Sequence, residues 1–462
     1  MQTLKANGVG LASAATLGVV MLSPAMTLYG NFGAAYSTAG QAAPLAFVWG
    51  LLATLPTAFS YALLSRERPS SGSAATWTAQ ALSARAARWV GWMVFLYYLT
   101  NFILQPVTLG LFFNDLLAAA GMRTGVGTYA LGALICCALP ALIAYRGITP
   151  SMKGALGFLV FEALVVIALC ISVARAALAL DLRGFSSHAS PGGGSGIFRA
   201  MIFAMLSYCG FDVVSTLAEE ARLPRKLIPQ ATFLSLAMFG VLVIGGVWCL
   251  TFAAPESRLR ALADAGGMPI TEIARGAWGR GALLVMLTGV SAALGIAIAT
   301  AIGASRILFS MGRDGLAPAW FARLRNQVPW NAMHLIFGVG LAGAVAVGAA
   351  VGPYPAYLWW GTTSTFFAML TFVFVNLANL LLHRGRVLSS PLCFLLHGAL
   401  PAAGVAVDLY ILWRSFFVEL WAQPWATGRS VIVFDVACAA VALFALVNRG
   451  PSTVRPATVR RS

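Results

Sequence analysis

The chain has 462 residues, of which 60% are hydrophobic and only 10% charged, and its mean hydropathy is +0.83. No water-soluble domain of this length sustains that balance, so the chain reads as an all-α integral membrane protein, with apolar runs of about 20 residues and not the short alternating strands of a barrel. Its formal net charge of +16 punctuates the ends of the apolar runs and forms no patch with interleaved aromatics, which argues against a nucleic-acid partner and for membrane orientation.

Residues 10–35 form the first apolar span. No cleavage signal accompanies it, so the N-terminus is expected to be retained. Within this span Ser23, Pro24, Ala25, Met26 and Thr27 put a proline and two hydroxyls at mid-membrane, with Gly30 and Gly33 following. Proline lacks the N–H and clashes with the preceding turn, so the helix should open here; a plain kink is the other reading. The second span, residues 44–64, ends at Arg66, Glu67 and Arg68. Residues 70–88 read as a short amphipathic connection, and a third span at 89–117 carries Tyr97, Tyr98, Asn101 and Gln105 at a depth where polar groups need partners.

A fourth span covers residues 129–145, and residues 146–153 return to a basic loop. The fifth span, residues 154–174, holds one carboxylic acid, Glu162, among apolar neighbours. An acid near mid-bilayer costs about 2.5–3.5 kcal/mol or more, which makes it a functional candidate; a structural hydrogen bond to a neighbouring helix is the alternative. Desolvation favours the neutral form of a carboxyl, so Glu162 is a candidate carrier of a coupling proton. Residues 191–196 read as a flexible glycine-rich connection, without the Gly-Lys-Ser/Thr ending of a phosphate loop.

Residues 201–229 open as an apolar helix, break at Ser207, Tyr208, Cys209 and Gly210, continue through Phe211, and run into Glu219, Glu220, Arg222, Arg225 and Lys226. Backbone freed from the helical ladder at membrane depth is tolerated only inside protein or along a cavity, and secondary transporters build their sites from such breaks. Spans at 231–252, 283–310, 334–351, 354–382, 391–413 and 431–447 bring the expected total to about twelve, with a mixed-charge surface helix over residues 255–280. With a cytoplasmic N-terminus, 20 of the 30 lysines and arginines fall on the inside. Both termini are therefore expected in the cytoplasm, and the chain in the cytoplasmic (inner) membrane.

The breaks near Pro24 and Cys209 each start a run of five spans, and an odd number of spans per unit inverts the second unit relative to the first. The expected organisation is one permease domain over residues 1–462: a first repeat at 10–174, a second, inverted repeat at 197–382, and two peripheral helices at 391–447. Each resumed half-helix would turn its free N–H groups toward an anionic substrate group such as a carboxylate.

Two stretches then resemble a known family. One is Tyr208-Cys209-Gly210-Phe211-Asp212 with the segment from Glu219 to Pro229; the other runs from Ser305 to Pro318 through Arg306, Arg313 and Asp314. They are similar to the amino acid-polyamine-organocation superfamily of permeases, and the similarity covers nearly the whole chain. The resemblance implies a LeuT-like five-plus-five inverted-repeat fold with broken first and sixth helices, and amino acids or amines as substrates. The chain departs from the pattern in two places. It lacks the Gly-x-Gly-type first break of carboxylate-binding members, and it carries Glu162 where some proton-coupled relatives place a lysine. Residues 295–299 offer no side-chain oxygen, which disfavours sodium and favours a coupling proton.

The expected function is therefore secondary active transport of an amino acid or amine, with membrane lipid as surroundings and no cofactor. A central site is expected from residues 23–27 and 207–211 with Tyr98, Asn101 and Trp360; the two aromatics read equally well as packing groups. Glu219, Glu220 and Arg222 are expected at a gate, a solvated charge run being the plainer reading. Glu162 carries the proton, or pairs with the ammonium of an amine in a transporter or exchanger, or ligates sodium in a sodium-coupled symporter. An enzyme is disfavoured: there is no His-Glu-x-x-His or Gly-x-Ser-x-Gly, and His188, His334, His383 and His397 are scattered. A channel or sensor would lack uphill accumulation of solute. The seven cysteines show neither a disulfide framework nor metal-site spacing.

Overall fold

Backbone in hydrocarbon must satisfy its hydrogen bonds within its own segment, and the long elements of this chain are helices throughout. The computed structural model describes residue 4 and residues 7–176, 181–264 and 268–447. Lys5 and the basic residues after 447, which count among the lysines and arginines expected on the inside, lie outside the described residues. Among the described residues, ten helical stretches are long and apolar enough to cross a membrane. The first, Leu11–Glu67, covers 57 residues and is interrupted at Ser23 and again at the tight turn Gly40–Ala42. A shorter apolar helix, Ser430–Val447, closes the described chain.

Burial separates inner from outer helices. The most apolar windows of Ala84–Ala118 and Pro269–Arg313 are each 78% buried, against 17% for Pro391–Leu420. Leu131, Leu142, Leu156 and Leu164 of two other outer helices point outward and exposed, as lipid-facing leucines do. Helix packing in a membrane relies on close approach of small residues. At Gly50 an added Cβ would lie 2.7 Å from the Ala204 Cβ and 3.0 Å from the Met205 amide nitrogen, so the second span can seat directly on the sixth.

Three expected connections take other forms. Residues 193–196, expected within a flexible connection, form the first turn of helix Gly193–Ser207, and Gly196 packs so tightly on the Thr38 carbonyl that a Cβ there would sit 2.7 Å from its oxygen. The stretch expected as a short amphipathic connection contains a helix, Ser73–Ala81, whose Trp77 is fully buried, so it is inserted among the other helices as a plug. The mixed-charge segment holds two helices, Glu256–Asp264 and Pro269–Trp278, on either side of residues outside the description.

At one end of the bundle the chain is sealed. Val9 donates its N–H to the Glu220 carbonyl at 3.0 Å, and the Arg222 N–H returns to the Val9 carbonyl at 3.3 Å. The plug helix joins the same layer: the hydroxyls of Ser73 and Ser215 lie 2.7 Å apart, and the Ser71 N–H donates to Glu219 Oε1 at 3.3 Å.

Candidate functional site

The first break is built by Ser23. Helix Leu11–Leu22 ends there with Ser23 at φ +44°, a left-handed conformation that a residue with a Cβ rarely adopts. Pro24 then starts the next turn, where its missing N–H costs nothing. Ser23 Oγ accepts the Met26 N–H at 3.3 Å and donates to Glu162 Oε2 at 2.9 Å. Glu162 is fully buried, its Oε1 has no partner among the described residues, and the Ala25 N–H faces the same carboxyl. A carboxyl from the fifth span thus sits against the start of the resumed first helix. Beyond it the helix widens into a π-helical turn, Thr27–Asn31.

The second break uses glycine. Helix Gly193–Ser207 ends, Gly210 takes φ +128°, and the chain continues as a 3-10 segment, Phe211–Leu217, every residue of which is buried. Asp212 lies in this segment. Its Oδ1 accepts from Tyr97 at 3.3 Å, its Oδ2 from Tyr98 at 2.5 Å, and the N–H groups of Gly210 and Asp212 face its carboxyl. The breaks are tied together by Asn31 Nδ2, which donates to Ser207 Oγ at 2.7 Å.

Beside the two breaks lies a cavity of about 410 Å³. Met26, Thr27, Asn101, Ser207 and Cys209 line it, joined by Tyr97, Gln105, Asn31 and Ser364. Its walls run from the breaks away from the sealed layer, along residues 26–34 of the first span and 202–209 of the sixth, toward Glu419 and Gln423. The other expected site residues lie off the cavity. Ser23, Pro24 and Ala25 are buried in the capped turn, Gly210 backs onto Met21, and Phe211 packs between Tyr61, edge to face, and Phe372, tilted. The Tyr208 hydroxyl donates to the Phe47 carbonyl at 3.1 Å. Trp360 packs against Trp359 and Phe434. Both Tyr97 and Tyr98 donate to Asp212, but only Tyr97 also reaches the cavity wall.

The charged groups also pair differently from expectation. Glu219 accepts a bidentate pair from Arg313 at 2.7 and 2.9 Å, and Glu220 accepts from Arg306 at 2.8 and 3.2 Å. Arg222 takes neither acid; its Nε donates to the Asn7 carbonyl. Glu220 and Arg306 are almost wholly buried, at 1% and 3% side-chain exposure, so they do not belong to an accessible loop. The fork of a guanidinium matches a carboxylate in two parallel bonds, and two arginines on the long helix Ala282–Arg313 reach both acids at once.

Two further acids lie buried in the apolar spans. Asp408 and Asp435 are fully buried in the last two spans; Asp408 Oδ2 accepts from Thr57 at 3.1 Å and Asn376 at 3.0 Å. Two of the scattered histidines also come together: His383 and His397 stack at 3.9 Å, and Glu67 accepts from or donates to His383 Nε2 at 2.8 Å. Near-parallel ring planes do not converge on one ion, so this cluster suits a hydrogen-bonded tie between helices better than a metal centre.

A model of the amino acid permease family matches residues 17–404. The low-affinity putrescine importer PlaP of Escherichia coli is 27% identical over 378 residues, 78% of each chain. The branched-chain amino acid permease BcaP of Lactococcus lactis is 24% identical over 419 residues, 86% of each chain. The methylthioribose transporter of Bacillus subtilis is 28% identical over 329 residues, covering 67% of this chain and 69% of its own. With its many membrane-length helices and a family match over most of its length, the chain belongs to the amino acid permease family of the amino acid-polyamine-organocation superfamily, and is an integral membrane transporter and not an enzyme.

Proposed function

We propose that this chain is a proton-coupled secondary transporter of an amino acid or related amine, with Glu162 as the proton carrier. Relatives named for putrescine and for branched-chain amino acids support that substrate range. The proposed organisation is twelve spans in two inverted five-span repeats, with both termini in the cytoplasm and the sealed layer on the cytoplasmic side. The observation that carries the reading is the buried Glu162 carboxyl held by Ser23 at the first break, with one oxygen unpartnered. A single proton on that oxygen neutralises the group where the wall of the cavity is made. Protonation and release can then change the cost of closing the first helix over a substrate, which is the link that coupling requires.

Glu162→Gln tests this. The neutral side chain keeps a hydrogen bond to Ser23 and cannot titrate. Reconstituted Glu162→Gln protein is expected to retain substrate binding and counterflow while losing uptake driven by a pH gradient. Retained pH-driven accumulation would remove Glu162 from the coupling role.

A further inference from the structure

We infer that Asp408 is a second proton-binding group, set behind the second break and reached from the sealed end through a polar seam between three helices; this rests on the proton-coupled reading above and adds a carboxyl to it. Asp408 is fully buried in the stretch Pro391–Leu420. Its Oδ2 accepts from two neutral donors, Thr57 and Asn376. Its Oδ1 has no partner among the described residues, and neither has Asn376 Oδ1 in the same cluster. No basic side chain is bonded to Asp408 among the described residues, and the titratable side chains that feel its charge, Tyr61 and Cys209, are not cations. A carboxylate there has no counter-charge. One proton on Oδ1 removes the charge and supplies a donor that the cluster lacks.

The seam gives that proton a way in. Asn376, Asn379 and His383 form one stripe on helix Pro353–His383, since residues three and four apart share a face, and Thr57 and Ser60 form the matching stripe on the second span. Asn376 Nδ2 donates to Thr57 at 2.8 Å. One turn further on, Asn379 Nδ2 donates to Ser60 at 3.2 Å and to the Leu396 carbonyl at 3.3 Å. That turn is a rise of about 4.5 Å, a step that one water molecule between polar walls can bridge. The Leu396 carbonyl fixes the direction of the Asn379 amide, so Asn379 Oδ1 accepts from His397 Nδ1 at 2.9 Å. His383 Nδ1 donates to the Asn379 carbonyl at 2.9 Å, because a carbonyl only accepts. His383 Nε2 and Glu67 Oε2, 2.8 Å apart, then share one dissociable proton. Arg386 is the further charged group that acts on His397. The Glu67 side chain is 37% exposed and ends the second span just before the plug, whose Trp77 donates to the Arg68 carbonyl. The seam therefore opens at the sealed end, and protons have an entrance there that the ion pairs do not close.

At its inner end the seam meets the second break. Cys209 lines the cavity and Tyr61 packs edge to face on Phe211; both stand within electrostatic reach of Asp408 and of Asp212. A proton arriving at Asp408 changes the field at the second break, as one arriving at Glu162 does at the first. Acids and histidines aligned between helices are the material of proton relays in membrane transporters.

The test reads carboxyl protonation directly and needs no substrate. Infrared difference spectra of the purified full chain in lipid are recorded between acidic and alkaline buffer, where each buried acid that titrates contributes to the band of the neutral carboxyl. Asp408→Asn is expected to remove one component of that band and Glu162→Gln another. Asp408→Glu keeps the acid and is expected to move the first component to a new frequency, which covers the case in which the asparagine variant does not fold. In heavy water, Glu67→Gln at the partly exposed mouth is expected to slow exchange of the Asp408 proton severalfold and to leave that of Glu162 unchanged. A band that neither Asp408 variant alters, or a component that sodium displaces at constant pH, overturns the inference and leaves Glu162 as the proton carrier. Unaltered exchange in Glu67→Gln overturns the route through the seam. A spectrum with neither the Asp408 nor the Glu162 component overturns this inference and the proton-coupled reading together.

Discussion

The sealed layer and the cavity are neighbours along the same helices, yet they are built from opposite materials. The sealed end is held by two bidentate ion pairs, Glu219 with Arg313 and Glu220 with Arg306. The cavity is walled by neutral hydroxyls and amides, among them Thr27, Asn31, Asn101 and Gln105, and by apolar side chains. Ion pairs at the sealed end supply directional, strong contacts that must be broken for that end to open. A wall of neutral polar and apolar groups supplies weaker, more general contacts that a small solute completes. The difference places rigidity at one end and recognition at the other.

The comparison is most exposed to failure at the buried pair. Removing one member of a buried ion pair leaves the other charge desolvated and unpaired, at a cost of about 3–5 kcal/mol. Arg306→Met is therefore expected to lower stability severely, read as a large drop in unfolding temperature or in recovered folded protein. Arg313→Met should do much less, because that pair is 25% exposed on both sides and solvent screens it, giving about 0–1 kcal/mol. Equal losses in the two variants would mean that burial does not set the strength of the sealed layer.

An intermediate effect is expected at Gly210. With φ +128° it occupies backbone space that residues with a Cβ avoid, and an added Cβ would lie 2.8 Å from Met21 Cγ. Gly210→Ala should cost about 1–3 kcal/mol and impair uptake, because relieving the strain means moving Asp212 and the 3-10 segment. Wild-type uptake and stability in this variant would show that the second break tolerates another backbone path.

The two breaks were legible because proline and glycine act locally: Pro24 removes a donor and Gly210 permits a backbone that no other residue adopts easily. Glu162 was legible for a similar reason, since a lone acid in an apolar run stands out against its own neighbours. Asp408 and Asp435 carry the same signal in the last two spans, outside the two expected repeats. What sequence could not show was partner choice across the fold. Arg222 lies two residues from Glu220 in the chain, whereas Arg306 is far away in sequence and within 2.8 Å in space. Proximity along the chain suggested one pairing and helix packing made another. Tyr97 and Tyr98 present the same difficulty on a smaller scale: they are adjacent, both aromatic and both at the right depth, and only the rotation of the third span sets one at the cavity wall.

The smallest expected effect on stability, and the finest test of the contrast between the ends, is at Glu219. Its pair with Arg313 is partly exposed, so it can break and re-form without the desolvation cost that fixes Glu220. Glu219 also accepts the Ser71 N–H beside the plug helix, so its carboxylate joins three parts of the sealed layer: the segment after the second break, the plug and the long arginine-bearing helix. Glu219→Gln keeps the shape and one acceptor oxygen but removes the charge. Stability should fall by less than about 1 kcal/mol, while the sealed and opened arrangements change their balance. No group of the cavity wall is touched, so substrate affinity should stay within about twofold, and the maximal uptake rate should shift by more than that, since a population change at the sealed end acts on the conformational step. Measuring binding by thermal shift and turnover by counterflow on the same preparation separates the two. Unchanged turnover with weakened binding would show that Glu219 acts on the cavity and that the two ends are not divided as described.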